Sequence, residues 1–562
     1  MFSFQRAYTF LSKGRCAEVK RCISDSFVLT LPLRYEPWQR DQLDLYFRLG
    51  NDLYNRIVAF GLKQLRQLER TKEWRNNQEK LAAMYKRIAE LNGAIEKESK
   101  RYSYQEERLK SYKAKKRQLE SGMKPLFKAR NEMISRYWLS ESNFEVVAKR
   151  QRRAYSHIVG SAVAQKIAAA AWEKFSCYLF GTGKAIRFQP WRDFHSIENK
   201  QNGVNILYQD GVLKVNGMTI PAIVPPEGRN PYIDEALKRR VKYCRIIRIP
   251  WKDRHWLYRL QLILEGTPPV KADISTGEMK HPLGKGHVGL DIGPQTLAAA
   301  GMKNVSLEEL APSANMCWAE LRRINRAMYR SRRDMNPEFF QADGTLISKN
   351  TLPQQLLDNC GRRKWKKSKH YQELEGKRRY LYGKLTRIRV MQHNALANRI
   401  MCYGDEFYVE TMNFRALAKR AKKCETTEPG KRQICRKRFG KSIANKAPAK
   451  FIDILETKVK RFGGSFHRIN TWAAKASQYQ HWDRKFSKKK LSQRWNVLPS
   501  GKKVQRDLYS AFLLMNTNVS LDGFVQALCD QHFNNFLDMH DAEIERLRTA
   551  DMPSSTGIKK VS

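Results

Sequence analysis

HVGLDIG, residues 287–293, places a single acid, Asp291, near the end of a short apolar run, and the prediction of the fold starts from it. The run predicts a buried strand. A carboxylate at the tip of such a strand adds little to stability, but it is well placed to hold a hard cation. The plainer interpretation is that Asp291 caps the turn before Gly293 and Pro294. Partners for Asp291 elsewhere in the sequence must decide between the two.

The chain is strongly basic: its 562 residues include 106 lysines and arginines against 55 acids, a formal charge of +51. An excess this large repels itself unless a polyanion neutralises it, so we expect a nucleic-acid partner bound largely through counterion release. A membrane surface fits poorly, because the sequence has no run of about 18 apolar residues and no recognisable signal peptide. Ten scattered cysteines without a CxxC pair are typical of reduced thiols. We therefore expect a cytoplasmic, nucleoid-associated protein without membrane contact.

The first half of the chain reads as a β domain that carries a helical insertion. FVLTLPLR, residues 27–34, predicts a strand, and apolar residues at helical spacing from Pro37 predict helices up to about residue 180. Within them the charged stretch 65–127 predicts a helical hairpin or small bundle, with a solvated coiled-coil spacer as the alternative. Short alternating runs then predict a β-barrel or curved sheet. These runs are IRFQPW (186–191), VNILYQ (204–209), GVLKVNG (211–217), TIPAIV (219–224), CRIIRIPW (244–251) and WLYRLQLILEG (256–266).

Strands alternate with helices in the second half, after a linker at 269–286, and this alternation predicts an α/β layer fold. The acid-tipped strand is followed by a second predicted strand in LAAAGMKNVSLEEL, residues 297–310. The later elements predicted are a strand at 405–414, a helix at 448–462, a strand at 464–469 and a helix at 506–516.

Two further acids resemble Asp291 in their setting. Glu410 ends the apolar run FYVE, residues 407–410, and Asp507 lies where a polar turn opens the helix in QRDLYSAF, residues 505–512. Taken singly, Glu410 is equally a solvated loop acid and Asp507 a helix N-terminal acid. Together they suit phosphodiester hydrolysis, which two Mg²⁺ ions roughly 4 Å apart can support. Mg²⁺ binds through a few carboxylates and takes phosphate oxygens as further ligands.

Motifs around these acids resemble those of RuvC-like nucleases within the RNase H superfamily. GLDIGPQTLAAAG (289–301), FYVETMNFRAL (407–417) and VQRDLYSAFL (504–513) are similar to the first, second and third motifs. The block 437–464 and INTW (469–472) are similar to the TnpB branch, insertion-sequence-encoded RNA-guided nucleases related to compact type V CRISPR effectors. The resemblance is strongest over 286–515. It is looser in the N-terminal half, where TLPLRYEPWQRD (30–41) and the strand–helix–strand layout resemble the wedge and recognition domains of that family.

The resemblance implies that Asp291, Glu410 and Asp507 form a catalytic triad that binds two Mg²⁺ ions. It implies an RNA-guided DNA endonuclease whose partners are a guide RNA and double-stranded target DNA. A short motif flanking the target would be read by the protein, while base pairing reads the rest of the sequence. The alternative is a guide-RNA-directed DNA-binding repressor with weak or no cleavage, since the family includes members with an inactivated site. Retention of all three acids argues against that alternative.

The resemblance also implies a multidomain α+β and α/β fold. A β-barrel wedge domain carries a helical recognition insertion, and an RNase H-like RuvC nuclease domain follows. The segment 517–562 contains a predicted amphipathic helix that either packs back on the nuclease or contacts a second copy in a homodimer. The expected boundaries are 1–36 wedge strand, 37–182 helical recognition domain, 183–268 wedge β domain, 269–286 linker, 287–470 nuclease with a helical insertion, 471–503 accessory lobe, 504–516 third-motif helix and 517–562 C-terminal helix and tail.

The accessory lobe, residues 471–503, departs from the family, whose members commonly carry a four-cysteine zinc ribbon there. Gln480, Leu498 and Ser500 stand where cysteines would be. His481 and Asp483 remain, but one histidine and one aspartate do not make a tetrahedral zinc site. We therefore expect no structural zinc. Apolar contacts would hold the lobe instead, and the candidates are Trp482, Phe486 and Trp495.

Basic clusters are the candidates for nucleic-acid contact. A charge run is usually a solvated face, but the surplus of cations in this chain favours contact with the phosphates of a guide RNA or heteroduplex. An aromatic residue among the cations either stacks on a base or packs internally. The predicted nucleic-acid-binding residues are Arg362, Arg363, Lys364, Trp365, Lys366, Lys367, Lys419, Arg420, Lys422, Lys423 and Arg506.

Overall fold

The protein has a mixed α/β structure with several sheets. The computed structural model describes residues 25–99, 106–183, 185–251, 255–358, 361–419, 439–490, 492–550 and 552–560. It separates into two compact units. The first contains the chain up to Ile249 together with Trp256–Val270, and the second contains Pro250–His255 together with Lys271–Ser562.

The helices of the first unit begin with a long amphipathic one. They are α1 (Pro37–Arg70), α2 (Lys72–Ser99), α3 (Glu106–Arg136), α4 (Glu141–Gln151), α5 (Ser161–Leu179) and α6 (Pro231–Leu237). Helix α1 begins where Pro37 takes the first helical position and Glu36 and Gln39 form a reciprocal capping box. Its buried side chains join those of α4, α5 and the strands in one apolar core.

Helices α2 and α3 form an antiparallel pair. The side-chain amide of Asn77 near the start of α2 donates to the Leu126 carbonyl oxygen near the end of α3, at 3.1 Å. Arg136 at the end of α3 pairs with Glu73 at the start of α2, also at 3.1 Å. Because later residues of α2 contact earlier residues of α3, the two helices run in opposite directions. Their shared apolar cluster includes Leu81, Tyr85, Ile88 and Met123.

The strands of the first unit form two sheets. They are β1 (Ser26–Pro32), β2 (Ser196–Glu198), β3 (Ile206–Gln209), β4 (Val212–Val215), β5 (Met218–Pro221), β6 (Val241–Pro250) and β7 (Trp256–Glu265). One sheet has the order β1-β7-β6-β2 and the other β3-β4-β5. An isolated bridge between Leu33 and Ala222 connects them. Within the described residues the strands do not close, so the predicted barrel is not confirmed.

One predicted strand of the first unit is wrong. The run 186–191 contains no strand and ends in a single turn of 3₁₀ helix at Trp191–Asp193. The side chain of Asn55 on α1 explains the difference. Its amide group donates to the Gln189 carbonyl oxygen at 2.9 Å and accepts from the Gln189 N–H at 2.8 Å. The N–H and C=O groups of Gln189, which a neighbouring strand would otherwise bind, are thereby satisfied by a side chain of α1.

The second unit is built around a five-stranded sheet. Its strands are β8 (His287–Ile292), β9 (Thr296–Gly301), β10 (Val305–Glu309), β11 (Glu406–Glu410) and β12 (Ser465–Ile469), in the order β10-β9-β8-β11-β12. Strands β8, β11 and β12 are parallel, and β9 is antiparallel to both of its neighbours. The single strand predicted at 297–310 is therefore wrong, since residues 302–304 turn the chain into a hairpin.

Helices and two small hairpins complete the second unit. The helices are α7 (Trp318–Met335), α8 (Lys369–Ile400), α9 (Phe414–Ala418), α10 (Gly440–Lys446), α11 (Pro448–Arg461), α12 (Thr471–Ala474), α13 (Arg506–Met515) and α14 (Gln526–Arg548). The accessory lobe contains β13 (Tyr479–Gln480) paired with β14 (Lys485–Phe486), and β15 (Trp495–Val497) paired with β16 (Lys503–Gln505). Side chains from α13, α14 and the lobe share one apolar core.

Candidate functional site

Asp291 and Glu410 lie at the same edge of the central sheet. Strands β8 and β11 are parallel neighbours, and their last paired residues are Leu290 and Val409. The next residue on each strand is an acid. Carboxyl ends of parallel strands meet at one edge, which is where open α/β sheets place their ligands. The strand register alone therefore brings two acids together that are more than a hundred residues apart in sequence.

Asp507 reaches the same place because α13 packs directly against β8. Gly289 permits this contact: a Cβ atom there would overlap the Ala511 carbonyl oxygen and the Met515 amide nitrogen. Asp291 is two residues after Gly289, so its side chain projects from the same face of the strand. Asp507 is four residues before Ala511 and lies on the same face of the helix. The glycine thus makes the first and third acids face each other.

The electrostatics of Asp291 and Glu410 reflect burial and, for Asp291, the nearby charges of the other two acids. Burial raises the pKa of Asp291 well above its usual range, and the negative charges of Asp507 and then Glu410 raise it further. The Arg506 guanidinium and the Ser510 hydroxyl lower it in part. Burial also raises the pKa of Glu410, against the opposing effect of the Ala476 backbone N–H. An ionised site therefore has a cost that a bound cation would offset.

Asp507 is held by neighbours that sequence inspection overlooked. The Gln505 side chain caps α13 by accepting from the Leu508 N–H at 2.8 Å, and its amide nitrogen donates to Asp507 Oδ2 at 3.3 Å. The Gln505 backbone N–H in turn donates to Nε2 of the buried His540 at 3.0 Å. The only signal in the sequence was a polar residue at a helix start, since His540 belongs to a distant helix.

Arg506 was predicted to bind nucleic acid, but the structure pairs it with a site acid. Its Nε and Nη2 atoms both donate to Asp507 Oδ1 at 3.3 Å, and Nη1 donates to the Gln493 carbonyl oxygen at 3.2 Å. The Arg506 side chain is only 13% exposed and that of Asp507 18%. The guanidinium therefore connects the accessory lobe to the acid site.

The acids share a location without forming a closed cage. In the described part of the chain, no three His, Cys, Asp or Glu side chains are drawn together as a ready-made metal site. Mg²⁺ keeps several waters and binds through one or two carboxylates plus substrate phosphates, so it does not need such a cage. The chemistry of the donor set, three partly buried carboxylates of which two have raised pKa values, fits a hard cation.

The other predicted nucleic-acid residues divide between packed and exposed. Trp365 packs internally, with its ring 4.9 Å from that of Phe339 and under the Arg332 guanidinium at 4.8 Å. Arg363 donates to the Ile347 carbonyl oxygen. Lys364 donates to the Gln355 carbonyl oxygen, and Lys367 pairs with Glu375. Also exposed are Arg362, Lys366 and Lys419. Outside the described residues lie Arg420, Lys422 and Lys423.

Aromatic packing fills the accessory lobe. The buried His481 ring lies 4.4 Å from the Phe533 ring, and the Tyr509 hydroxyl accepts from the His481 N–H at 3.0 Å. The same hydroxyl lies 2.7 Å from His481 Nδ1. The three apolar candidates all have aromatic neighbours: Trp482 packs on Tyr509, Phe486 on Tyr479 and Trp495 on His540. Tyr509 is thus a hydrogen-bond partner of both the backbone N–H and the Nδ1 atom of His481.

Comparisons with known proteins do not identify a family for this chain. No family model matches the chain, and no curated protein matches it. One similar solved structure is a cryo-EM structure of the Cas12f1–sgRNA–target DNA complex, with a TM-score of 0.38, 12% identity, and coverage of 89% of this chain and 99% of that chain. Another is a cryo-EM structure of a CRISPR-Cas12f ternary complex, with a TM-score of 0.21, 12% identity, and coverage of 67% and 73%. None of the described helices has the length and apolar character needed to span a membrane.

Proposed function

We propose that the chain is an RNA-guided DNA endonuclease that hydrolyses phosphodiester bonds at Asp291, Glu410 and Asp507. One observation carries this proposal. Three acids from separate parts of the sequence share a partly buried location in which two of them are held against their electrostatic preference. Acids with strongly raised pKa values cluster at functional sites, because selection for stability alone would not retain them. The motif resemblance assigns the same three residues.

The three carboxylates would hold two Mg²⁺ ions. When bound, Mg²⁺ activates a water and stabilises the leaving oxygen of a phosphodiester. The residues around the acids prepare them for this task. Gln505 orients Asp507, and the positive charge of Arg506 favours the ionised form of Asp291. Gly289 keeps the backbone of α13 close to β8, which maintains the distance between the acids.

Guide RNA and target DNA are the proposed partners, and the charge of +51 supports them. A duplex of guide and target carries one phosphate charge per nucleotide on each strand, enough to neutralise so basic a protein. Reading of a flanking motif is assigned to the first unit by the motif resemblance alone. The competing function is guided binding without cleavage, which predicts the same partners and a silent acid site.

The test compares matched variants of one strand. Glu410→Gln removes a site acid, whereas Glu406→Gln alters the same residue type at the opposite end of β11, where it pairs with His287 at 3.3 Å. The protein, purified with its co-expressed RNA, is mixed with guide-matched DNA and Mg²⁺. We expect the wild type and Glu406→Gln to cut the DNA and Glu410→Gln to bind it without cutting.

Three results would overturn the proposal. If the wild type binds the target tightly but cuts nothing, the protein is a guided binding module. Cleavage that persists in Glu410→Gln would place the active site elsewhere. The co-purified RNA should consist of one defined scaffold with a variable end. If sequencing finds no such RNA, the protein is not guided by RNA and the proposed function is wrong.

A further inference from the structure

Among the described residues, Trp472 is the most exposed tryptophan. Its relative exposure is 88%, compared with 57% for Trp38. It lies in the short helix α12, at the start of the accessory lobe. A side chain this exposed contributes almost nothing to the core. Its position therefore calls for a partner outside the folded chain.

The backbone of Trp472 is fixed although its ring is free. The Asn470 side chain accepts from the Trp472 N–H at 3.1 Å, and the Asn470 N–H donates to the Leu521 carbonyl oxygen at 3.2 Å. The hydroxyl of Thr471 donates to the Thr411 carbonyl oxygen at 3.1 Å. The chain thus presents the indole from a braced position, which lowers the entropy lost when a ligand binds it.

The same bracing connects Trp472 to the acid site. Thr411 directly follows Glu410, so the Thr471–Thr411 hydrogen bond joins the residue beside the tryptophan to the residue beside a site acid. Four residues after Trp472, the backbone N–H of Ala476 lowers the pKa of Glu410. The backbone on both sides of Trp472 therefore lies beside the edge of the sheet at which the acids meet.

The segment of sequence that contains Trp472 is strongly cationic. Between residues 465 and 503 the sequence contains ten lysines and arginines and a single acid, Asp483. Lys475 is exposed three residues after the tryptophan, and its ammonium group lies 5.8 Å from the Phe486 ring. Nucleic-acid single strands are bound by this combination, in which aromatic faces take bases and cations follow the backbone.

We propose that Trp472 is a stacking platform for an unpaired base of the nucleic-acid strand that enters the acid site. The phosphates on either side of that base are attracted by Lys475 and the other cations of the segment. Every base has a π-face, so this contact tolerates any sequence. The proposal builds on the proposed function, because it places the strand next to the acids that would cut it.

The test measures binding in EDTA, so that no strand is cut. The full chain, with the RNA it carries, binds a fluorescein-labelled oligothymidylate of roughly a dozen nucleotides, a length within the range of single-strand sites. A second strand of equal length has abasic sugars throughout. The variants are W472A, W472L, which keeps apolar bulk without a π-face, and W472F, which keeps a ring. Trp38→Ala is the control for loss of another exposed tryptophan.

We expect W472A and W472L to bind oligothymidylate roughly five- to a hundredfold more weakly than the wild type, as for the loss of one stacked base. W472F should retain most of the affinity, and Trp38→Ala all of it. On the abasic strand, the wild type should bind as weakly as W472A, and W472A should lose nothing further. High ionic strength suppresses the non-specific phosphate contacts that would mask these differences.

The inference fails if W472L binds oligothymidylate like the wild type, or if W472A is equally weakened on the abasic strand. It also fails if sedimentation shows a wild-type dimer that W472A converts to monomers, because Trp472 would then contact a second copy. These outcomes do not depend on cleavage. A protein that binds bases through Trp472 but never cuts would overturn the proposed function and leave this inference intact.

Discussion

The acid site and the accessory lobe are neighbouring regions that differ in how well the folded chain satisfies their polar side chains. At the acid site, burial and then the like charges of Asp507 and Glu410 raise the pKa of Asp291, although Arg506 and Ser510 partly favour its ionised form. In the lobe, His481 has Tyr509 as a hydrogen-bond partner and aromatic rings on several sides. The first arrangement raises the free energy of the ionised site. The second surrounds a buried histidine with a hydrogen-bond partner and aromatic rings.

The contrast lies within one unit. Asp291 keeps a raised pKa beside two other acids, whereas His481 has a hydroxyl and aromatic rings as neighbours. Helix α13 contributes a side chain to each region: Asp507 faces the other acids, and Tyr509, two residues later, contacts His481 of the lobe. A change in the position of this helix would therefore affect both regions.

The largest expected effect comes from neutralising the acid site. Asp291→Asn should reduce cleavage by about a thousandfold or more, as for other losses of charge stabilisation in active sites. In EDTA the same variant should melt at a higher temperature than the wild type, because an amide removes the repulsion with Asp507. Cleavage assays and thermal melts check the two parts. A variant that loses cleavage and also melts lower would show that Asp291 supports the fold.

Gly289→Ala tests the close approach that creates the site. The added methyl group would overlap the backbone of α13, so we expect a loss of about 3 kcal/mol in the free energy of unfolding. The control is Gly93→Ala on α2, where a Cβ would meet nothing within 4 Å. Denaturant titrations of both variants give the comparison. Wild-type stability in Gly289→Ala would mean that α13 and β8 can separate without cost.

Tyr509→Phe tests whether hydrogen bonding and packing hold the lobe. Removing the hydroxyl leaves two buried groups of His481 without their partner, which should cost about 1–3 kcal/mol. Tyr329→Phe is the control, because that hydroxyl donates to the Gly344 carbonyl oxygen at the exposed surface. Thermal melts measure both, with and without a zinc chelator. A chelator that lowers the melting temperature would reveal a structural zinc ion.

The two regions should also respond to pH with opposite signs. Burial lowers the pKa of His481, so the unfolded chain binds more protons between that lowered value and about 6.5. Stability from His481 is therefore present above about pH 6.5 and is lost as the pH falls through that window. Melts of the wild type and His481→Phe should converge toward acid pH. In metal-free protein, Asp291 contributes the opposite slope, because its raised pKa makes stability fall as the pH rises.

The smallest effect is expected at an exposed cation outside both regions. Lys366→Ala should weaken nucleic-acid binding slightly and reduce the salt slope by about 0.7–0.9 if Lys366 neutralises one phosphate. Target choice should not change, because a phosphate contact carries no sequence information. Filter-binding titrations over a range of salt concentrations check this. An unchanged slope would place Lys366 on a solvated face.

Local patterns predicted most elements of both units, with one wrong strand in each. Strands β8 and β11 and helix α13 lie where apolar periodicity and a polar start predicted them, since such signals depend on neighbours within a few residues. The run at 186–191 is wrong because Asn55, far away in sequence, takes its backbone hydrogen bonds. The predicted strand at 297–310 is wrong because an apolar run can hide a tight turn.

The basic charge, the order of the three acids and the lack of cysteines in the lobe can all be read from the sequence. The contact between α13 and β8, the pairing of Arg506 with Asp507, the packing of Trp365 on Phe339 and the exposure of Trp472 are visible only in the folded chain. These contacts join residues that are far apart in the sequence. Periodicity reports the face on which a side chain lies, but the partner on that face is chosen by packing between segments that may be hundreds of residues apart.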